Sequence, residues 1–274
     1  MSLKYKDLFD LRGKCAVVTG GVGILGQHFC RGLAEFGANI AVVDLDEERV
    51  RNLAEDLVKE YGVNALGIAC DITSPTSVHE MVTAAVEALG GIHVLHNNAA
   101  SKSADLDRFF ASFEDYSLEE WRRIMSVNID GMFLVAQAVG AQMIRQGVGG
   151  SIIQTSSVYG IRASDKRIYE GSHYLGRQIN NPVVYSTSKA AVLGLSRHLA
   201  ADWAEYGIRV NSLVPAGVSS GQNEEFKRRY SSRVPLARMA EAQEMVGALI
   251  YLASDASSYV TGQQIVVDGG LSAW

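Results

Sequence analysis

Short runs of consecutive apolar residues alternate along the chain with segments in which apolar residues recur at helical spacing. The runs predict seven strands, each short enough to be buried on both faces of a sheet. They cover residues 15–19, 39–43, 65–70, 93–96, 151–157, 209–214 and 264–267. Strands that alternate with helices are typical of a parallel sheet covered by helices on both faces. The pattern predicts a doubly wound α/β fold, and we expect a single domain over residues 1–274.

The helical segments carry recognisable start signals. Ser74 followed by Pro75 is an N-cap with proline at the first helical position, and Ser117 with Glu120 forms a capping box. A long helix begins near Tyr185. Its expected apolar stripe consists of Val192, Leu195, Leu199 and Trp203.

Tyr185 and Lys189 are four residues apart on that helix, so their side chains share a face. A phenol ordinarily has a pKa of about 10. We expect the ammonium of Lys189 to favour the phenolate and lower the pKa of Tyr185. The pair predicts a proton donor and acceptor, although the same spacing is also common on solvated helix faces.

A glycine-rich turn, residues 20–26, lies between the first strand and the first helix. Glycines let the backbone approach a pyrophosphate, and the helix N-terminus supplies N–H groups; the alternative is a plain tight turn. The second strand ends at Asp44, whose carboxylate suits a ribose and repels a 2′-phosphate; its alternative role is a helix cap. Because Leu45 follows it, rather than Lys or Arg, the sequence favours NAD over NADP.

Polar or turn-forming residues stand at or just after several predicted strand ends. They are Asp44, Asp71, Asn98, Ser157 and Pro215. Ligands bind at the carboxyl edge of such sheets, so we expect the functional site there. Asp71 either contacts an adenine or caps a turn.

Composition and charge limit the alternatives. The chain has 47% hydrophobic and 20% charged residues, enough to bury a substantial core. Its net charge of −5 argues against a nucleic-acid partner or an anionic membrane surface, and no apolar run is long enough to predict a membrane span.

The first residues lack the apolar core of a signal peptide, so we expect a cytoplasmic protein. Its cysteines, Cys15, Cys30 and Cys70, are predicted to be buried and reduced, with a reactive cysteine as the alternative. His93 and His96 lack partners spaced for a metal site, so we expect them to be packed or hydrogen-bonded.

Over residues 8–270 the chain resembles the short-chain dehydrogenase/reductase family. The matching segments, in order, are TGGVGILG at Thr19, GANIAVVD at Gly37, CDIT at Cys70, NNAA at Asn97, VNIDG at Val127, TSSVYG at Thr155, YSTSK at Tyr185, VNSLVPAGV at Val210 and VDGG at Val267. The resemblance implies a Rossmann-like domain with a seven-stranded parallel sheet. It also implies a homotetramer or a homodimer whose contacts involve the C-terminal helix and strand.

The resemblance implies a catalytic set in which Tyr185 exchanges a proton with the substrate oxygen and Lys189 assists it and holds the nicotinamide ribose. Ser157, rather than Ser156, would hydrogen-bond the substrate oxygen. Asn128 would hold a water that relays protons, which gives a reason for a polar residue inside a helix. The implied cofactor contacts are Gly20, Gly23, Ile24, Leu25, Gly26, Asp44, Leu45, Asp71, Ile72, Asn98, Ala99, Tyr185, Lys189, Pro215, Gly217 and Val218.

Three positions depart from the family pattern near the expected cofactor. Ile24 replaces the middle glycine of the phosphate loop, with Gly23 one place earlier, and Ala100 and Ala216 stand where glycine is usual. Each adds a Cβ atom near the expected cofactor, so the sequence does not determine the geometry of the phosphate loop.

Ser157 and Tyr185 are 28 positions apart, more than is usual in the family. The added segment, residues 162–182, is rich in charged and aromatic residues. We expect it to wall the substrate pocket and to recognise a polar, sugar-like or anionic substrate; a surface loop or an oligomer contact is an equal alternative. Residues 218–234 are polar and are expected to form a mobile lid or a solvated helix.

These features predict an NAD-dependent oxidoreductase that interconverts a secondary alcohol and a ketone. The expected substrate is a small polar molecule, with a sugar or polyol derivative first. The alternatives are a 3-oxoacyl or steroid-type carbonyl reductase and a non-catalytic NAD-sensing protein.

Overall fold

The computed structural model describes residues 4–103 and 105–274. Its strands are β1 (Cys15–Thr19), β2 (Asn39–Asp44), β3 (Ala65–Ala69), β4 (Val94–Asn97), β5 (Gly150–Thr155), β6 (His173–Tyr174), β7 (Arg177–Gln178), β8 (Ile208–Pro215) and β9 (Gln264–Val267). Seven of them form one parallel sheet in the order β3-β2-β1-β4-β5-β8-β9, and β6 and β7 form a separate hairpin. The predicted seven-stranded parallel sheet is confirmed.

The helices are α1 (Gly26–Glu35), α2 (Glu47–Tyr61), α3 (Pro75–Leu89), α4 (Leu106–Phe109), α5 (Leu118–Met125), α6 (Met132–Gln146), α7 (Val183–Asp202), α8 (Glu224–Ser231) and α9 (Val246–Ala253). Ser74 and Ser117 accept backbone N–H groups at the starts of α3 and α5, as predicted. The second half of the capping box does not form, because the carboxylate of Glu120 binds Arg123 instead.

Helices cover both faces of the sheet. On one face α1, α2 and α9 bury Phe29, Leu57 and Leu249 against the strands. On the other face α3 and α6, with the C-terminal end of α7, bury apolar side chains such as Met81 and Val139. Each fully buried side chain of this size contributes roughly 1.5–3 kcal/mol to folding. The two apolar layers hold the strand ends, and the loops that follow them, in fixed positions.

The apolar stripe predicted for α7 is partly wrong. Leu195 and Leu199 are only half-buried, whereas Ser188 and Ser196 are buried. The hydroxyl of Ser212 in β8 donates to the hydroxyl of Ser196 over 2.8 Å. Small hydroxyl side chains that bond to each other satisfy their polar atoms in the interior, so the buried face did not need to be apolar.

Residues 118–146 form one continuous helical stretch that includes a wide π-helical segment, Ser126–Gly131. By length and composition this stretch could cross a membrane, although charged residues interrupt it and it contains no continuous apolar run of that length. Its side chains Met132, Val139 and Met143 are fully buried in the core of the fold. This packing accounts for the apolar character of the helix, because a core helix of a globular protein can be equally long and apolar.

Candidate active site

A cleft of about 490 Å³ opens at the carboxyl edge of β1–β4. It collects side chains and backbone from four separate strand ends, as expected for this sheet topology. Eleven of the predicted cofactor residues line it: Gly20, Gly23, Ile24, Leu25, Gly26, Asp44, Leu45, Asp71, Ile72, Asn98 and Ala99. The strand-end pattern therefore located this part of the site.

The glycine turn packs its backbone closely at the rim of this cleft. A Cβ atom on Gly20, whose φ is +65°, would lie 2.9 Å from the Cα atom of Ala99. A Cβ atom on Gly26, the first residue of α1, would lie 1.9 Å from the carbonyl oxygen of Gly20. Side chains at these positions would disrupt the turn, so the chain keeps a bare cradle before a helix N-terminus. Such a cradle fits the pyrophosphate of a dinucleotide.

Ile24 does not block the cradle. Its side chain remains 48% exposed at the edge of the cleft. The N–H of Gly23 donates to the carbonyl oxygen of Gly20 over 3.1 Å, which closes the turn without the usual middle glycine. Ala100 also lines the cleft and is exposed. These two departures from the family pattern leave the cleft open.

Asp44 faces the cleft and does not cap a helix. Its carboxylate accepts the N–H groups of Val22, over 3.2 Å, and Leu45, over 2.8 Å, while Asp46 caps α2. Arg49 was missed by the sequence analysis and also lines the cleft, where its Nη2 donates to the carbonyl oxygen of Val22 over 2.5 Å. Its only signal in the sequence is its place in the first turn of α2.

Asp71 makes the turn contacts that were one of its two interpretations. Its carboxylate accepts the N–H and the hydroxyl of Thr73 over 2.9 and 2.7 Å, which makes it a turn residue. It nevertheless lines the cleft beside Ile72. The Asn98 amide donates to the carbonyl oxygen of Thr19 over 3.2 Å, which fixes the loop after β4 against β1.

Five predicted cofactor residues do not line this cleft: Tyr185, Lys189, Pro215, Gly217 and Val218. Pro215 is buried at the end of β8, and Val218 forms an isolated bridge with Ala240. The N–H of Gly217 donates to the hydroxyl of Tyr230 over 2.6 Å. Tyr230 of α8 therefore accepts the hydrogen bond of Gly217, a residue that was predicted to contact the cofactor.

Ser156 and Ser157 both follow the end of β5 and make different contacts. The buried hydroxyl of Ser156 donates to the carbonyl oxygen of Lys189 over 2.6 Å, so Ser156 ties β5 to α7. Ser157 leaves the strand and caps a short 3₁₀ turn by accepting the N–H of Tyr159. The structure thus gives Ser156 a structural contact and places Ser157 next to Tyr185.

The expected lowering of the pKa of Tyr185 by Lys189 is wrong for this structure. Burial raises the pKa of Tyr185, and an interaction with the Ser157 side chain offsets only part of that rise. Burial also lowers the pKa of Lys189 to about 8. The ammonium of Lys189 donates to the carbonyl oxygen of Thr155 over 2.9 Å. The lysine is thus held by the backbone of β5.

Asn128 lies in the π-helical segment and is buried. Its Oδ1 accepts the N–H of Ser101 over 2.8 Å, and its Nδ2 donates to the hydroxyl of Ser188 over 3.3 Å. Asn128 therefore connects the loop after β4 to the residue beside Lys189. π-Helical segments of this kind often occur at functional sites.

A group of tyrosines near Tyr185 was missed by the sequence analysis. The hydroxyl of Tyr169 donates to that of Tyr159 over 3.1 Å. Burial raises the pKa of both side chains. Tyr159 belongs to the TSSVYG segment and Tyr169 to the added segment, so neither position alone indicated that the two meet.

Comparison with known proteins supplies the family. Residues 22–272 match the family model described as enoyl-(acyl carrier protein) reductase. A crystal structure of a short-chain type dehydrogenase/reductase from Mycobacterium marinum is 35% identical, with a TM-score of 0.86 and coverage of 99% of this chain and 100% of the other. This chain belongs to the short-chain dehydrogenase/reductase family. It is an NAD(P)-dependent oxidoreductase acting on alcohol or carbonyl substrates.

Two further relatives carry more specific names. The NADH-dependent L-xylulose reductase of Ambrosiozyma monospora is 32% identical over 288 residues, which cover 98% of this chain and 99% of the relative. A gluconate 5-dehydrogenase from Burkholderia cenocepacia, solved with NADP and tartrate, is 33% identical with a TM-score of 0.85, and the match covers 98% of both chains. The first relative is named as NADH-dependent, and the second was solved with NADP.

In this short-chain dehydrogenase/reductase the added segment and α8 are joined. We call residues 162–182 together with α8 the lid unit. The N–H of His173 donates to the Oδ1 atom of Asn223, and the N–H of Asn223 donates to the carbonyl oxygen of His173, each over 3.1 Å. Arg229 of α8 binds the carboxylate of Glu170 over 3.1 Å. The predicted lid and the predicted insertion therefore form one structural unit.

The lid unit also reaches the loop after β4. The ammonium of Lys102, which lines the cofactor cleft, lies 4.5 Å from the ring centre of Tyr174. Arg177 binds Asp107 over 2.5 Å. These contacts connect the hairpin of β6 and β7 with the cofactor side of the site.

The two strand histidines and the cysteines have the surroundings that the sequence predicted for them. His96 is buried, bonds to the hydroxyl of Thr155 over 2.8 Å and packs on Phe29, and His93 accepts the N–H of Cys15. Both histidines are thus packed or hydrogen-bonded, as predicted. Within residues 4–103 and 105–274 no cluster of His, Cys, Asp and Glu is arranged for a metal ion, and the cysteines are free and buried.

Proposed function

We propose that this protein uses NAD to interconvert a secondary alcohol and a ketone in a polar sugar or polyol derivative. One observation supports the proposal: Ser157 lies next to Tyr185, Lys189 binds the end of β5, and Asn128 connects the loop after β4 to Ser188, all at the sheet edge that also forms the glycine-lined cleft. They derive from three different parts of the chain: the π-helical segment, the residues after β5 and α7. A binding protein without catalysis would have no need for this arrangement.

Tyr185 and Ser157 would act on the substrate oxygen in the proposed reaction. A bound nicotinamide supplies or accepts the hydride. The Tyr185 hydroxyl would give its proton to the carbonyl oxygen during reduction, and the Tyr185 phenolate would take a proton from the alcohol during oxidation. Ser157 would donate a hydrogen bond to the same oxygen and stabilise the charge that develops there.

Lys189 and Asn128 would support Tyr185 rather than touch the substrate. Lys189, held on the Thr155 carbonyl, would present its ammonium to the ribose hydroxyls of the nicotinamide half. Asn128 positions Ser188, the residue before Lys189, through its side-chain amide. The glycine turn would hold the pyrophosphate.

Asp44 supports NAD as the preferred cofactor. Its carboxylate stands in the cleft, accepts two backbone N–H groups and would repel a 2′-phosphate. Arg49 is the cation beside it that would favour a 2′-phosphate, but its Nη2 donates to the Val22 carbonyl. The similar L-xylulose reductase is described as NADH-dependent, which agrees with this preference.

A sugar or polyol substrate is supported by the names of two relatives, L-xylulose reductase and gluconate 5-dehydrogenase. The hydroxyls of Tyr159 and Tyr169 lie close to Tyr185 and would serve as hydrogen-bond partners for a substrate rich in hydroxyl groups. A 3-oxoacyl or steroid substrate would instead need an apolar wall at this position. The lid unit would form the outer wall of the substrate pocket.

We also propose that the enzyme is a cytoplasmic homotetramer, with a homodimer as the alternative. The edge strand β9 leaves Val266 partly exposed, and the nearby Tyr259 is fully exposed, so a second copy could cover this edge. Three buried, reduced cysteines suit the cytoplasm. Light scattering on the purified protein tests the assembly, and a mass of one 29.6 kDa chain would contradict it.

Initial rates of nicotinamide reduction test the function. The purified protein is assayed with NAD and with NADP against alditols, aldoses, aldonates and 3-hydroxyacyl thioesters. We expect turnover with NAD on an alditol, aldose or aldonate. Faster turnover of hydroxyacyl thioesters would contradict the substrate class, and NAD binding without turnover on any substrate would favour a sensor.

A further inference from the structure

A second cavity, also of about 490 Å³, is lined in part by Tyr159 and Tyr230 and shares no lining residue with the cofactor cleft. It is formed by the start of the added segment, the residues after α8 and the chain around Leu271 and Trp274. None of the predicted cofactor or catalytic residues lines it. The cavity is therefore separate from the cofactor cleft, and Tyr159 belongs both to its lining and to the tyrosine cluster.

The charges lining this cavity are unbalanced. Three arginines line it, and Asp165 is the only carboxylate among its lining side chains. One oxygen of Asp165 accepts both Arg167, over 2.8 Å, and Arg233, over 2.7 Å. One negative charge is thus shared between two guanidinium groups, and their excess positive charge remains in the cavity.

Arg162 adds a third positive charge. It is half-buried, and its Nη1 donates to the carbonyl oxygen of Leu271. Among the side chains that the structure describes, Arg162 forms no ion pair within 4.0 Å; the carboxylate of Asp268, which feels its charge, is bound to the N–H groups of Gly270 and Ser272. A carbonyl oxygen occupies one N–H group but does not neutralise the charge. A partly desolvated guanidinium in this situation favours a bound anion.

We propose that this cavity binds a carboxylate or phosphate group, held by Arg162 and Arg233. The flat fork of a guanidinium matches two oxygens of such a group, and paired forks give both affinity and orientation. The apolar side chains of Leu271 and Trp274 provide a surface for the carbon skeleton attached to it. Asp165 positions Arg233 for this contact.

The anion has two possible sources with the same chemistry. It is either the acidic end of the substrate, which rests on the proposed function, or a separate small anion. Tyr159 lines the cavity and bonds to Tyr169 in the cluster around Tyr185. Occupancy of the cavity would therefore act on substrate binding in both cases.

Binding of inorganic phosphate to the NAD-saturated protein tests the site, because NAD fills the pyrophosphate cradle. Calorimetry compares the wild type with Arg162→Gln, Arg233→Gln and the control Arg145→Gln, an exposed arginine at the end of α6. We expect each of the first two variants to lower phosphate affinity about tenfold or more and the control to leave it unchanged. Equal binding by all four proteins, or no binding by the wild type, would overturn the proposal.

Kinetics then separate the two sources. If the substrate carries the anion, Arg162→Gln raises KM for an aldonate about tenfold or more and leaves KM for the matching alditol within twofold. If the anion is separate, phosphate shifts KM for the alditol in the wild type and not in Arg162→Gln. Absence of turnover on every substrate would contradict the proposed function, while the phosphate titration would still report on the cavity. Melting curves of each variant, with Arg162→Lys as the charge-preserving partner, confirm that the fold is intact.

Discussion

Lys189 carries its charge in a nearly fully buried position, with its ammonium on the carbonyl oxygen of Thr155. Burial removes water from the ammonium, and this desolvation lowers its pKa to about 8. The charged side chain therefore destabilises the folded state, and the proposed catalysis requires this side chain. Active sites commonly keep such destabilising groups.

This cost predicts the behaviour of Lys189→Met. At pH 7 we expect the variant to be inactive and more stable by about 2 kcal/mol, which is the desolvation cost less one lost hydrogen bond. The folded pKa, about 8, lies below the ordinary value of 10.5, so the unfolded chain binds more protons between these pH values. Wild-type stability should therefore rise relative to the variant as pH rises through this window. Urea unfolding from pH 7 to 10 measures the difference, and a constant difference would show that the lysine is not buried in this way.

Asp44 and Arg49 together predict how the cofactor preference can be changed. Asp44→Asn keeps the acceptor for the Val22 N–H and removes the negative charge. We expect kcat/KM with NADP to rise about tenfold or more, because Arg49 can then pair with a 2′-phosphate. Adding Arg49→Gln should abolish this gain. Unchanged NADP kinetics in Asp44→Asn would mean that another residue sets the preference.

Among the secondary-structure elements, the lid unit couples two segments that are about fifty residues apart in sequence. Asn223 is central to it, because its Oδ1 accepts the N–H of His173 and also that of Phe226 at the start of α8. Phe226 and Tyr169 pack with ring centres 5.8 Å apart. The helix and the hairpin should therefore open together.

Asn223→Ala tests this coupling. Loss of the helix cap costs about 1 kcal/mol, and the bond to the hairpin is lost with it. We expect hydrogen exchange to accelerate in residues 171–178 and 224–231 together, and KM to rise several-fold. Ser117→Ala, which removes the cap of α5, is the control and should leave both segments unchanged. Acceleration confined to α8 would show that the two segments move independently.

The elements differ in how well the sequence predicted them. Strands buried on both faces are short apolar runs, so their bounds agree with the structure within one or two residues. The hairpin of β6 and β7 was not predicted, because it depends on Asn223 and Gln222, which are distant in sequence. The α7 stripe was partly wrong because paired serines replace apolar contacts at a buried face.

The whole molecule brings the candidate site together from the ends of β1–β5, the π-helical segment and α7. Motif order was sufficient to predict where Ser157, Tyr185, Lys189 and the glycine cradle lie in the fold, because each follows a strand end or opens a helix; their roles remain a proposal. It did not predict Arg49, the tyrosine cluster or the arginine cavity. Those groups meet only through tertiary contacts, and their local sequence resembles an ordinary polar surface.

The measurement that tests the central claim most directly compares Tyr185→Phe with Tyr159→Phe in NAD-dependent oxidation of the best sugar or polyol substrate. Both substitutions remove one hydroxyl from the same tyrosine cluster, and only Tyr185 is assigned the proton transfer. We expect kcat to fall about a thousandfold or more in Tyr185→Phe. Tyr159→Phe should raise KM with kcat changed less than tenfold. Similar kcat values in the two variants, or an active Tyr185→Phe enzyme, would contradict the assignment of Tyr185 as the acid–base residue.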